Sequence, residues 1–265
     1  MTVTAAHAPG TFCWLDLAAH DNEGAKAFYS ALFGWEIDDT KYGDRPDEVY
    51  TMFKLAGRDV AASYTMDEAQ RAMGVPPAWL QYVSVEDVGE SAARAKELGA
   101  TLLAEPFEVQ GYGKMALLHD PAGAMLALWQ PLSHPGVGVR DVPGSLCWVE
   151  LATRDMAGAR DFYSGLFGWG TEPMESPVTY EAFTLDGRMV GGMFGITPGM
   201  GEMPPAWLPY FAVEDADATA ARARELGAQV VMGPEDLPNV GRFCLLQDPQ
   251  GAMFYVIKLA YPAES

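Results

Sequence analysis

The chain has 265 residues, of which 49% are apolar and 20% charged. At roughly 150 residues per domain it is long enough for about two domains with sizeable cores. Acidic residues outnumber basic ones 36 to 17, a net charge of −19. That excess argues against a nucleic-acid backbone or an anionic membrane surface as a partner. No apolar run approaches the roughly 18 residues of a membrane span. The start, MTVTAAHAPG, lacks the basic and apolar regions of a signal peptide. Cys13, Cys147 and Cys244 are odd in number, far apart and inside strand-like runs. A reduced, cytoplasmic chain without a disulfide framework is expected.

Taken in chain order, the elements recur. Phe12–Ala18 is strand-like, and a helix follows, with Asp21 or Asn22 as N-cap. Ala25, Phe28, Tyr29 and Leu32 recur at helical spacing, and Gly34 is the stop. Short strands are expected near Glu36–Asp38, Tyr50–Leu55 and Val60–Thr65. The order then repeats: strand Trp79–Val85, helix Val88–Leu98 closed by Gly99, and strands near Thr101–Val109, Lys114–His119 and Ala124–Trp129. The second half of the chain copies the first. TFCWLDLAAHDNEGAKAFYSALFGW at 11–35 returns as SLCWVELATRDMAGARDFYSGLFGW at 145–169, with 14 of 25 positions identical. PPAWLQYVSVED returns as PPAWLPYFAVED, ARAKELGA as ARARELGA, and HDPAGAM as QDPQGAM. The expected domains are 1–131 and 145–265, with a Pro- and Gly-rich linker at 132–144. The fold class is α+β, built from four βαβββ units, with helices starting near Asp21, Val88, Asp155 and Ala216.

The βαβββ order, the AFYSALFGW helix end and the DPAGAMLALWQP terminal strand resemble the vicinal oxygen chelate superfamily. That group includes glyoxalase I, bleomycin-resistance proteins and extradiol dioxygenases. More narrowly, the chain resembles tandem glyoxalase-like proteins, often labelled hydroxylases, of antibiotic-producing actinobacteria. The resemblance implies two glyoxalase-like domains in a pseudo-twofold arrangement, with sheets curled into cups that hold a small ligand.

In metal-using members of the family, a His or Gln on the first strand and a Glu on the last hold the ion. Carried over by counting from Phe28, Phe162 and the two Asp-Pro turns, those positions are Trp14, Ala127, Trp148 and Tyr255, with Leu80 and Leu208 in the second units. None is a good divalent-metal ligand. His7, His20, His119 and His134 read as surface or turn residues. No metal and no cofactor are therefore expected.

With Trp14 inward, period two puts Phe12 and Asp16 on the same face and Cys13, Leu15 and Leu17 on the helix side. The second half offers Leu146, Trp148 and Glu150, and the last strands offer Met125, Ala127 and Trp129, then Met253, Tyr255 and Ile257. Trp14, Met125, Trp129, Trp148, Met253 and Tyr255 are the candidate ligand contacts, suited to a flat, mostly apolar molecule. The competing role for such residues, and for Trp79 and Trp207, is plain core.

Asp16 and Glu150 sit mid-strand, where an ionised carboxylate is costly unless paired or wet. Each is either tied into a buried hydrogen bond or ion pair, or a group that contacts ligand or acts as general base. The connections Asp67–Pro77 and Ile196–Pro205 are either lids or plain links. Cys13 and Cys147 read as packing residues.

Two functions stay open. One is sequestration or resistance-type binding of an aromatic metabolite. The other is a metal-independent enzyme, hydroxylase-, isomerase- or lyase-like, using Asp16 or Glu150. The expected partner is a small molecule, and the chain is expected to be a monomer built as a pseudo-dimer, or a homodimer. If units pair within a half, Trp129 beside Ala127, against Ile257 beside Tyr255, predicts tighter binding of a planar ligand in the cup with Trp14, Asp16 and Trp129; pairing across halves would regroup these residues.

Overall fold

The computed structural model describes residues 7–42, 45 and 48–260. Residues 1–6, on which the expectation about the chain's start partly rests, lie outside the described residues.

The βαβββ order occurs four times. The first module is β1 (Phe12–Ala19), α1 (Asn22–Phe33), β2 (Glu36–Lys41), β3 (Val49–Leu55) and β4 (Arg58–Thr65). A short helix, α2 (Glu68–Ala72), leads to β5 (Ala78–Ser84), α3 (Val88–Glu97), β6 (Thr101–Val109), β7 (Gly113–His119) and β8 (Met125–Pro131). The third module is β9 (Leu146–Thr153), α4 (Met156–Phe167), β10 (Gly170–Pro173), β11 (Tyr180–Leu185) and β12 (Arg188–Gly195). The fourth is β13 (Ala206–Ala212), α5 (Ala216–Glu225), β14 (Gln229–Leu237), β15 (Gly241–Gln247) and β16 (Met253–Leu259).

Local chemistry explains the boundaries. Each of the four long helices starts on an aspartate, Asp21, Asp87, Asp155 or Asp215, whose carboxylate accepts an N–H from the first turn. α1 and α4 end on Gly34 and Gly168, both at φ 72°, a left-handed conformation that glycine adopts without steric cost. The two connections between modules of the same half carry short helical pieces, α2 and a 3₁₀ turn at Pro198–Met200. α2 is closed by a capping box between Asp67 and Gln70.

The strands form two eight-stranded sheets, one in each sequence half, with orders β2-β3-β4-β1-β5-β8-β7-β6 and β10-β11-β12-β9-β13-β16-β15-β14. β1 runs parallel to β4, β5 to β8, β9 to β12 and β13 to β16, and the hairpins within modules are antiparallel. The duplicated α+β fold is thus observed.

By contact density the chain divides differently. One compact unit holds the residues up to Trp14 with Leu80–Gly136 and Trp148–Leu208. The other holds Leu15–Trp79, Val137–Cys147 and the chain from Pro209 onward. Each unit therefore draws most of one module from each half, with the divisions falling inside β1, β5, β9 and β13. The unit containing α4 packs Tyr163, Trp169, Phe183 and Trp207 around the ring of Phe12, with neighbouring centroids 5.0–6.2 Å apart. The unit containing α1 packs Tyr29, Trp35, Phe53 and Trp79 with Phe211 and Phe254 in the same manner. Phe12, expected to line a cup, belongs instead to the first of these cores.

The segment 132–144 has no regular structure, as its composition predicts, yet it is docked. Val137 and Val139 are buried. Gly138 donates to the Asp59 carbonyl at 2.7 Å, and the Trp35 indole donates to the Gly144 carbonyl at 2.7 Å. No helix among the described residues is long and apolar enough to cross a membrane.

Candidate functional site

Strand alternation sorts the side chains of β1. Phe53 and Thr51 on β3 face α1, touching Tyr29 and Asn22. Thr51 pairs with Ser63 and Asp16 with Ala62, so Asp16 lies on the opposite face. Leu15 and Leu17 are fully buried on the helix side.

In the unit containing α1, Asp16 is 2% exposed, and its Oδ2 accepts the Tyr50 hydroxyl at 3.1 Å. Tyr50 pairs with Tyr64 across β3 and β4, with rings stacked at 6.4 Å and 20°. Burial, then the Asp16 charge, pushes the Tyr64 phenol well above its ordinary range, against a hydrogen bond with Gln70 of α2. That bond runs from the Gln70 amide to the Tyr64 oxygen and ties α2 to this wall. Tyr50 and Tyr64, like Tyr180 of the third module, are residues that sequence reasoning missed. The first two lie in segments expected to be strands, but only the sheet pairing brings them to the face of Asp16. In the same unit Tyr255 stacks on Tyr210 at 4.1 Å and 10°, Ile257 is buried and Met253 half-buried.

In the unit containing α4, Trp14 meets His134 edge-to-face at 4.5 Å, and the Trp129 indole donates to the His134 carbonyl at 3.0 Å. Tyr82 closes on Trp129 at 6.1 Å, and Met125 is half-buried. His134 was expected at the surface. It is half-buried instead, because the docked segment that carries it runs over the Trp14 face.

The equivalent wall of the third module is more open. Trp148 is half-buried, and its indole donates to the Tyr180 hydroxyl at 2.9 Å. Tyr180 lies across Gly192, where an added Cβ would fall 2.0 Å from the phenol oxygen. Gly192 pairs with Glu150, which is 6% exposed. The bare backbone at Gly192 is what lets the phenol reach the indole.

The family chemistry calls for inward His, Gln and Glu donors. The positions carrying them here are Trp14, Ala127, Trp148 and Tyr255, and Tyr255 is engaged in stacking on Tyr210. Among the described residues no three His, Cys, Asp or Glu side chains gather closely enough to hold an ion. Trp, Ala and Tyr at these four positions are poor divalent-metal ligands. Burial pushes the Cys147 thiol up to about 12, with the Asp141 charge adding to it, which suits packing and not nucleophilic attack.

The model of the Glyoxalase/Bleomycin resistance protein/Dioxygenase superfamily matches residues 11–128 and again 145–256. The chain is 39% identical over 253 residues to the putative glyoxylase CFP32 of Mycobacterium tuberculosis (strain CDC 1551 / Oshkosh), covering 95% of each. It is 36% identical over 271 residues to the anthracycline biosynthesis protein DnrV of Streptomyces peucetius, covering 97% of this chain and 96% of that one. Its fold is similar to the 2,3-dioxygenase LapB of Pseudomonas sp. KL28, with a TM-score of 0.65, 14% identity and coverage of 98% and 97%. It is also similar to the Mn(II)-bound glyoxalase of Novosphingobium aromaticivorans, with a TM-score of 0.63, 14% identity and coverage of 97% and 86%.

Proposed function

Because the chain belongs to the Glyoxalase/Bleomycin resistance protein/Dioxygenase superfamily, we propose that it binds a small, flat, mostly apolar or aromatic metabolite without a metal. The ligand lies against the sheet faces opposite the helices. The observation that carries this reading is the Trp148 wall: a half-buried indole, oriented by Tyr180 and flanked on the same strand face by Glu150. Such a wall offers a stacking face with one carboxylate to set orientation. The similarity to a protein named for anthracycline biosynthesis favours a planar substrate class. Three buried cysteines outside any disulfide support a reducing, cytoplasmic setting.

The test is a tryptophan-fluorescence titration with planar quinones. Saturable quenching that Trp148→Ala weakens supports the reading. Quenching that is unchanged in Trp148→Ala, or none, overturns it.

Asp16 favours a second reading, an enzyme that moves a proton. Its carboxylate is buried and holds a phenol hydroxyl, an arrangement suited to a general base once a substrate displaces or joins Tyr50. Turnover assays on aromatic metabolites separate the readings. A rate lost in Asp16→Asn with affinity kept favours catalysis. Affinity lost without any turnover in the parent protein favours binding.

A further inference from the structure

A carboxamide belonging to the chain itself marks a place where a second ligand fits. In the unit containing α1, Gln250 reaches over the start of that helix. Its Oε1 accepts the Asp21 backbone N–H at 2.7 Å, and its Nε2 donates to the Asp21 carbonyl at 2.7 Å. The two bonds form a closed, two-point pair between a primary amide and one residue's backbone. In the unit containing α4 the repeat puts Asp155 where Asp21 stands and Ala122 where Gln250 stands. The amide is gone, and a cavity of about 320 Å³ takes its place. It is lined by Asp120, Ala122, Arg154, Asp155, Gly158 and Pro205 among others.

We propose that this cavity is a binding site for a small molecule that carries a primary carboxamide on a compact apolar body. The volume is larger than one amide, so a ring or short chain fits beside it, against Pro205 and Pro121. Among the described contacts, the Asp155 carbonyl receives only the helical N–H of Ala159, at 3.0 Å, and retains a lone pair for an amide N–H. The Asp155 N–H leans on Thr153 Oγ1 at 3.2 Å, a longer bond than the one Gln250 makes to Asp21. A ligand carbonyl oxygen can therefore take it over.

The electrostatics favour a neutral group over an anion. Two carboxylates, Asp120 and Asp155, border the cavity, and Asp155 already caps α4 through Gly158. The Arg154 Nη2 is spent on the carbonyls of Gly201 and Met203, at 3.1 and 3.0 Å, where it holds the inter-module connection as one wall.

Benzamide is the probe and benzoate its charged control, followed through the backbone amide resonances of the full chain. Saturable benzamide shifts at Asp155 and Gly158 are expected. Ala122→Gln, which supplies the amide from the chain, should weaken benzamide by more than about tenfold, and Ala122→Met should do the same by filling the space. Gln250→Ala should open the copy of the site and add saturable shifts at Asp21 and Gly24. Absence of saturable shifts at Asp155 and Gly158 overturns the proposal. So does benzoate binding as tightly as benzamide, which would mark an anion site at Arg154, or unchanged affinity in both Ala122 variants.

Discussion

Tyr29 donates its hydroxyl to Asp248, 219 positions away in the sequence, at 3.0 Å, and accepts the Trp79 indole N–H at 3.1 Å. The repeat builds the same relay from Trp207, Tyr163 and Asp120, with bonds of 2.8 and 2.9 Å. Both tyrosines are fully buried, and burial, then the neighbouring aspartate charge, raises each phenol well above its ordinary range. The relay joins a module of one half to a module of the other within each compact unit. Removing a hydroxyl leaves a buried indole N–H and a buried carboxylate short of a partner. Tyr29→Phe and Tyr163→Phe should each lower unfolding stability by about 1–3 kcal/mol in urea titrations. A change below about 0.5 kcal/mol would show that the relay is energetically idle.

Two aspartates should give pH dependences of opposite sign. Partial burial pushes Asp39 up, but the Lys26 ammonium and Thr51 hydroxyl outweigh it and hold the carboxyl below its ordinary value. A depressed folded pKa contributes stability above the unfolded value, and this is lost as pH falls through the folded one. Asp39→Asn should therefore flatten the acid limb of the stability profile below about pH 4. At Asp248, burial raises the carboxyl against the backbone N–H groups of Ala252, Gln250 and Gly251 and the Tyr29 hydroxyl. That contribution is present below the unfolded value and is lost as pH rises through the raised one. Asp248→Asn should remove a decline in stability above about pH 4. Denaturation midpoints across pH decide both, and a shift of the wrong sign in either variant counts against the assigned cause.

The Trp148 wall depends on a glycine. Gly192→Ala puts a methyl 2.0 Å from the Tyr180 oxygen and must turn the phenol away from the indole. Planar ligands should then bind about tenfold more weakly, with Tyr180→Phe showing a smaller loss because the ring remains. Equal affinity in Gly192→Ala, read by fluorescence titration, would place the ligand elsewhere.

Because each compact unit mixes modules of the two halves, the cup expected from the first half is divided: Trp129 lies in the unit containing α4 and Asp16 in the unit containing α1. What remains of the ranking is Trp129 against Tyr255, and it rests on Trp129, whose indole is 5% exposed beneath Tyr82 and His134. If the tight site lies there, His134 must move aside. His134→Ala should tighten planar ligands about tenfold, and Trp129→Ala should abolish the tight phase while Tyr255→Ala spares it. Loss of the tight phase in Tyr255→Ala alone reverses the ranking.

Metal analysis of purified protein should find less than about one tenth of an equivalent of zinc, nickel, iron or manganese, since the inward positions hold Trp, Ala and Tyr. Near-stoichiometric metal that survives dialysis would refute this.

Much of the fold was legible because its cues are local. Asp21 and Gly34 bound α1 as expected, and Thr101–Val109 is a strand over the predicted span. β2 runs on to Lys41, past the predicted Asp38, because its partners Val49–Thr51 lie across a hairpin that periodicity does not register. The burial of Asp16 and Glu150 also followed from alternation. The hydroxyls around them did not, since Tyr50 and Tyr180 reach these strands only through sheet pairing. His134 was obscured for the same reason. An irregular, Gly- and Pro-rich segment gives no period from which to tell that its imidazole is seated on Trp14.

The split of the Tyr29 and Asp248 pair between sequence halves has a further consequence. Residues 1–131 contain Tyr29 and also Asp120, the counterpart of Asp248. A gene encoding that half alone would make a chain whose tyrosine must find its acceptor in another molecule, so its folding would depend on dilution. Covalent fusion replaces that encounter with an intramolecular one at an effective concentration on the order of millimolar. The tandem protein can thus hold its native state at cellular abundances where separate halves would dissociate, and its two copies are free to diverge in sequence, as Ala122 and Gln250 have done.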